Sequence, residues 1–233
     1  ADEGADEPKI EQTLAAELAA DAGAPSLADA LSGLSRDGFR EAGEVYLSRA
    51  ARWRHSDRPY FTHKMPANWI YVGLIHLILP NARIIDVRRH PLDCGWSNFT
   101  QFIQHGMAHT CHLGEMGEYY RYYVETMAHF DHALPGRIYR VFHERLLEET
   151  ETEIRRLLEY LELPFDAACL NFHRTDRPVF TPSAQQVRRP INRDGVGRWR
   201  NYERWLQPLK ESLGDVLTAY PQVPDFAMPR PGL

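Results

Sequence analysis

The chain has 233 residues, of which 43% are hydrophobic, and carries a net charge of −5 at neutral pH. That length can bury a full core, so one domain with helical additions is expected, and the acidic balance excludes a general nucleic-acid binder. Cys94, Cys111 and Cys169 are odd in number and far apart, which implies no disulfide framework and makes a reducing, cytoplasmic compartment the expectation. The longest apolar run, residues 69–79, contains His76 and falls short of the ~18 residues that a membrane helix needs. Asp2, Glu3, Asp6 and Glu7 stand where a secretory signal would be basic and then apolar, so no signal is expected here, although the chain does not begin with Met.

The spacing of apolar residues predicts a first helix over 8–21 that stops before Gly23, and a short helix opened by Ser26 with Asp29 three residues on. A third helix is expected over 38–53. Residues 57–64, containing PYFTHK, read as a strand, 66–79 as a helix ending at Pro80 and Asn81, and 83–88 as a second strand. A helix between two short strands is the βαβ unit of a parallel sheet. Helices over 91–103 and 114–134 follow, then a strand RIYRVF after Gly136, and a helix over 144–161 that Pro164 ends. From Thr175 periodicity fades into a loop rich in Pro and Arg before the last helices, 202–217. The fold class is thus α/β with a mainly parallel sheet flanked by helices: a helical part over 1–56, a βαβ core over 57–150, and C-terminal helices with a closing loop over 151–233.

Two segments carry anion-binding chemistry. In IIDVRRHPLDCGWSNF, Ile84, Ile85 and Val87 form a β-branched run of the kind used in buried parallel strands, and Pro91 suits the first turn of a helix. Free N–H groups at that helix start, the Arg89 fork and the Ser97 hydroxyl would together favour a phosphate. The alternative is that Arg89 only pairs with Asp93 or Asp86. The second segment holds Arg188, Arg189, Arg193, Arg198, Arg200 and Arg204 against Asp194 and Glu203, a local excess of four positive charges. Gly195 and Gly197 there allow close approach of backbone to a ligand, and Trp199 offers a stacking face; a solvated charged surface is the competing explanation. His105, His109, Cys111 and His112 look like metal ligands, but Gly106 interrupts any helix between them and no metal is expected. Tyr119, Tyr120, Tyr122 and Tyr123 read as helix packing.

The segments GADE (4–7), KMPANWIYVGLIHLILPNARII (64–85), RRHPLDCGWSNF (88–99), TPSAQQVRRPI (181–191) and GVGRWRNY (195–202) resemble sulfotransferases that use 3′-phosphoadenosine 5′-phosphosulfate (PAPS). In detail the chain is similar to bacterial sulfotransferase domains attached to tetratricopeptide repeats, relatives of the tyrosylprotein sulfotransferases. The resemblance implies a P-loop-like architecture. It also implies that Arg89 and Ser97 hold the cofactor 3′-phosphate, with Arg193 and Gly195 on the loop that closes over it. Lys64 and Ser183 match residues at the sulfuryl group, and Glu7 matches the general base. His63 is a second candidate base, which strand alternation would turn to the opposite face from Lys64.

Such chemistry moves a sulfuryl group in line to an acceptor oxygen or nitrogen, so a cation at the bridging oxygen and a base at the acceptor accelerate it, without a metal ion. The implied partners are a small-molecule or peptide acceptor, with no nucleic acid, and a tetratricopeptide region upstream in the parent protein. A eukaryotic member would work in the Golgi lumen. The family also has an upstream strand and a Gly- and Ser-rich loop for the 5′-phosphosulfate. No such loop occurs here, so the first strand and half the cofactor site are expected to be missing from these residues, and the chain by itself to be inactive. His143, in VFHERL, stands where the family usually has tyrosine. The runner-up is a non-catalytic nucleotide-binding or interaction domain on the same scaffold. A P-loop phosphotransferase is disfavoured by the lack of a GK[ST] loop.

Overall fold

The computed structural model describes residues 9–54, 58–101, 108–175 and 185–226. The chain divides into two compact units, Ala1–Ala82 and Arg83–Leu233. Unit 1 is helical: α1 (Ile10–Asp21), α2 (Leu27–Ser32), α3 (Arg36–Ala51) and α4 (Val72–Ile78), the last preceded by a 3₁₀ turn over Asn68–Tyr71. α1 ends at Gly23, whose φ of +59° suits a residue without Cβ, and Ala24 N–H closes on Ala19 O at 2.9 Å. Ser26 caps α2 by accepting from Asp29 N–H at 3.2 Å while its hydroxyl donates to Asp29 Oδ2 at 2.6 Å. α3 starts earlier than its apolar spacing suggests because Ser35 Oγ accepts from Gly38 N–H at 3.1 Å. Ile10, Leu14, Tyr46, Leu74 and Ile78 form the core of this unit.

The strand expected over 57–64 does not form among the described residues of that segment, which show only an isolated bridge at Thr62. Side chains hold the segment instead. Phe61 packs on the core under the Arg54 guanidinium, and His63 is tied to Tyr46 and Glu11. Pro59 has no N–H to give a ladder.

Unit 2 is built on a parallel pair, β1 (Ile84–Arg88) and β2 (Ile138–Phe142), in register Ile84 to Ile138 through Arg88 to Phe142. Between them run α5 (Pro91–Phe99) and α6 (Leu113–Ala133). The fold is therefore α/β with a small parallel sheet. The burial of β1 inverts the expectation for a β-branched run: Val87 is 65% exposed, whereas Asp86 and Arg88 are buried. Those charges are neutralised within the unit. Asp86 accepts from Arg140 Nε at 2.7 Å, from Arg88 Nη2 at 3.3 Å and from the Tyr123 hydroxyl, and Arg140 Nη1 also donates to Asp131 at 2.8 Å.

The single helix expected over 144–161 is two, α7 (His143–Glu148) and α8 (Thr150–Tyr160), divided at Glu149 with φ −123° and ψ 48°. Thr150 Oγ1 donates to Leu146 O at 2.8 Å, taking the carbonyl that its own N–H would use in a continuous helix. Likewise 202–217 divides into a 3₁₀ helix over Arg198–Trp205, α9 (Gln207–Leu213) and α10 (Asp215–Ala219), with Gly214 between the last two. Leu92, Met116, Tyr120, Val124, Leu206, Leu209 and Leu213 form the core of unit 2, where α6 packs on α9.

Candidate functional site

β1 delivers Arg89 to the start of α5. Pro91 occupies the first turn, and His90 caps the helix through Nδ1, which accepts from Leu92 N–H at 3.3 Å. The Arg89 carbonyl is pinned by the Tyr120 hydroxyl at 2.6 Å, and its Nη2 donates to Gly195 O at 2.5 Å, 106 residues along the chain. A Cβ at residue 195 would stand 3.2 Å from Arg89 Nη2, so that approach fits glycine. Arg89 Nε is buried without a partner among the described residues. The Ser97 hydroxyl, farther along α5, has no hydrogen-bond partner among the described residues.

Neither alternative partner of Arg89 holds it. Asp86 is taken by Arg88, Arg140 and Tyr123. Asp93, 2% exposed, accepts from Gly197 N–H at 2.6 Å and Trp199 N–H at 3.4 Å. Asp93 thereby straps the arginine-rich loop to α5, a role that sequence spacing gave no means of finding. Glu144 plays a similar part: it accepts from His90 N–H at 2.9 Å and from the Tyr220 hydroxyl at 2.5 Å. Burial works to raise its pKa, but the His143 imidazole, with Nδ1 3.8 Å away, the Tyr220 hydroxyl and the His90 N–H hold it at about 2. The His90 ring stacks on Trp199 with centroids 5.8 Å apart, and burial lowers its pKa, favouring the neutral imidazole. Burial also pushes the Cys94 thiol up to about 11, which leaves it a poor nucleophile.

The loop's charge is partly spent on the protein itself. Arg193 turns to Glu148 at 2.9 Å and Arg189 to Asp194 at 3.0 Å. Arg198, Arg200 and Arg204 make no ion pair among the described residues, the last two lying over the Trp199 and Trp205 rings. Unit 2 therefore brings Arg89 and Gly195 into contact, while the Arg193 guanidinium is engaged elsewhere.

In unit 1, Lys64 is exposed; Glu7 and Ser183 lie outside the described residues. His63 Nδ1 lies 2.7 Å from the Tyr46 hydroxyl and 2.9 Å from Glu11 Oε1, which Asn68 Nδ2 also approaches at 3.3 Å. Burial, then the Glu11 charge, raises the Tyr46 pKa, so that phenol stays protonated. Glu11 is 1% exposed, and its first-turn position on α1 reads in the sequence as ordinary helix-start charge. Of the histidine and cysteine set, His105 lies outside the described residues, and His109 stacks on Tyr119 at 3.8 Å. Among the described residues no group of three or more His, Cys, Asp or Glu side chains could hold a metal ion. No helix among them is long and apolar enough to cross a membrane.

A family model described as "Sulfotransferase family" matches residues 4–167. The chain belongs to the sulfotransferase family. The chain is 40% identical over 178 residues to an uncharacterised protein of Aquifex aeolicus (strain VF5), a match covering 75% of the chain and 23% of that protein. The chain thus spans about a quarter of that relative's length. Two proteins with the name "Putative protein-tyrosine sulfotransferase" are also similar. The one from Caenorhabditis briggsae is 22% identical over 190 residues, covering 79% of the chain and 67% of that protein. The one from Caenorhabditis elegans is 24% identical over 191 residues, covering 79% and 73%.

Proposed function

We propose that this sulfotransferase domain takes the sulfuryl group from PAPS and passes it to a hydroxyl or amine acceptor, a tyrosine phenol among them. The observation that carries the donor assignment is the state of Arg89: its backbone is pinned, its Nη2 rests on Gly195 O, and its Nε is buried with no acceptor among the described residues. A buried guanidinium N–H without a partner is costly, and a phosphate oxygen would relieve it. The Ser97 hydroxyl is a further donor for the same 3′-phosphate, and the positive end of the α5 dipole favours an anion there, although the His90, Leu92 and Cys94 N–H groups are already bonded within the protein. Gly195 keeps the loop close, and Arg193 would join by exchanging Glu148 for the phosphate.

The donor supplies an activated sulfuryl group whose bridging oxygen gains negative charge as its bond to sulfur breaks. The Lys64 ammonium favours that charge, with Ser183 as a second donor, and Glu7 takes the acceptor proton. These roles, the P-loop-like architecture and the tyrosine acceptor rest on the family resemblance and on the names of the Caenorhabditis relatives.

The test is a calorimetric titration with 3′-phosphoadenosine 5′-phosphate (PAP) beside AMP. One charge-assisted hydrogen-bonded group is worth ~10-fold or more in affinity, so PAP should bind at least that much tighter. Arg89→Ala should reduce PAP to the level of AMP. Equal binding of the two nucleotides by the folded chain would overturn the donor assignment.

A further inference from the structure

We propose that unit 1 carries a second binding site, a cleft for an aromatic anion built from Lys9, Arg49, Arg52 and Trp53. The cleft has a volume of about 550 Å³, and Ile10 and Thr13 complete its lining. That is the size of a typical small-molecule site.

Among the described residues, only one of the three cations in the cleft is matched by an acid. Arg49 gives Nη2 to Glu17 at 2.7 Å, yet its Nη1 is buried and has no partner among the described residues. Lys9 and Arg52 make no ion pair among the described residues. Elsewhere on the same helix Arg40 is compensated twice, by Asp37 at 3.4 Å and Glu44 at 3.2 Å, so among the described residues the cleft is the less compensated end. Arginine cannot shed its proton, and a buried N–H with nothing to donate to is a standing cost that a bound carboxylate removes. The Trp53 indole, 41% exposed, adds a flat apolar face. A planar aryl ring on that face with a carboxylate toward the two guanidiniums satisfies both features.

Lys9 follows Glu7 by two residues. Taking the sulfotransferase reading as given, the ligand is the acceptor: a phenol that also carries a negative charge. The donor groups Arg89, Ser97 and Gly195 belong to unit 2 and share no residue with this cleft, so the two proposals can fail separately.

The experiment titrates the full chain, without nucleotide, with 4-hydroxyphenylacetate and its uncharged analogue 4-hydroxyphenylacetamide, by calorimetry or ligand-observed NMR. The acid should bind ~10-fold tighter than the amide, as one charge-assisted contact requires. Arg52→Gln, at an exposed position, should bring the two ligands close to parity. Arg49→Gln should do the same, and Trp53→Leu should weaken both ligands together. Equal affinity for acid and amide, no detectable binding of the acid, or a preference that survives both arginine substitutions would overturn the proposal. If acid is preferred but PAP binds no better than AMP, the cleft stands and the donor assignment falls. If PAP is preferred but acid and amide are alike, the cleft falls alone.

Discussion

Asp93 shows how much one side chain can fix. Its two oxygens accept backbone N–H groups from 104 and 106 residues away while it is 2% exposed, so removing it strands two donors away from water. Asp93→Ala should therefore cost about 2–3 kcal/mol in urea unfolding, and Asp93→Asn, which keeps one acceptor, about half of that. A loss below ~0.5 kcal/mol for the alanine variant would show that the strap carries nothing. Glu144 gives a pH-dependent counterpart. Its folded pKa of about 2 lies below the ordinary glutamate value, so its contribution is complete above about pH 4.5 and fades as pH falls toward 2. The stability advantage of wild type over Glu144→Gln should be constant near neutral pH, shrink across that window and vanish below it. An advantage unchanged between pH 5 and 2, followed by thermal unfolding, would contradict the assignment. The position of Arg89 between a strand and a helix start was legible in the sequence, from the β-branched run before it and Pro91 after it. Asp93 looked like its rival partner, since only the folded chain brings Gly197 and Trp199 to that carboxylate.

At the scale of elements, the approach of α6 to α9 is set by a missing side chain. A Cβ on Gly117 of α6 would stand 2.0 Å from Ser212 Oγ and 3.0 Å from Leu209 O of α9. The hydroxyl can rotate away, but the carbonyl is backbone, so Gly117→Ala should cost about 1–3 kcal/mol through separation of α6 and α9. Gly114→Ala, on the same helix with nothing within 4 Å of its Cβ, should instead stabilise by about 0.5–1 kcal/mol. Thermal unfolding of the pair separates crowding from helix propensity, and a stabilising Gly117→Ala would refute the packing argument. Elements with strong local signals were readable: α6 from its long apolar stripe, α2 from Ser26 and Asp29, β2 from RIYRVF. Those decided by competition were not. The apolar periodicity of 144–161 continues through Glu149, and nothing in it shows that the Thr150 hydroxyl will claim Leu146 O. The segment 57–64 has the residues of a strand, but His63 finds Tyr46 and Glu11.

For the whole molecule, charge is distributed against its own average. The chain carries −5, so an anionic ligand approaches a protein that repels it overall. The arginine-rich loop offsets this, less than its composition suggests, because Glu148 and Asp194 take Arg193 and Arg189. Among the described residues, those without an acidic partner near this loop are Arg89, Arg198, Arg200 and Arg204, the last two lying over indole rings. Local attraction of this kind is screened by salt, with a Debye length of ~10 Å at 0.1 M. On the proposed assignment, in which the second phosphate meets the guanidiniums, raising ionic strength from about 0.05 to 0.5 M should weaken PAP binding severalfold and weaken AMP less. Arg200→Gln should flatten the salt dependence for PAP and lower the unfolding midpoint only slightly, because among the described residues that side chain has no acidic partner and loses only its contact with the Trp199 ring. Salt dependence that is equal for PAP and AMP would mean that the loop acts on the nucleotide as a whole, and that the 3′-phosphate is bound by Arg89 and Ser97 without long-range help.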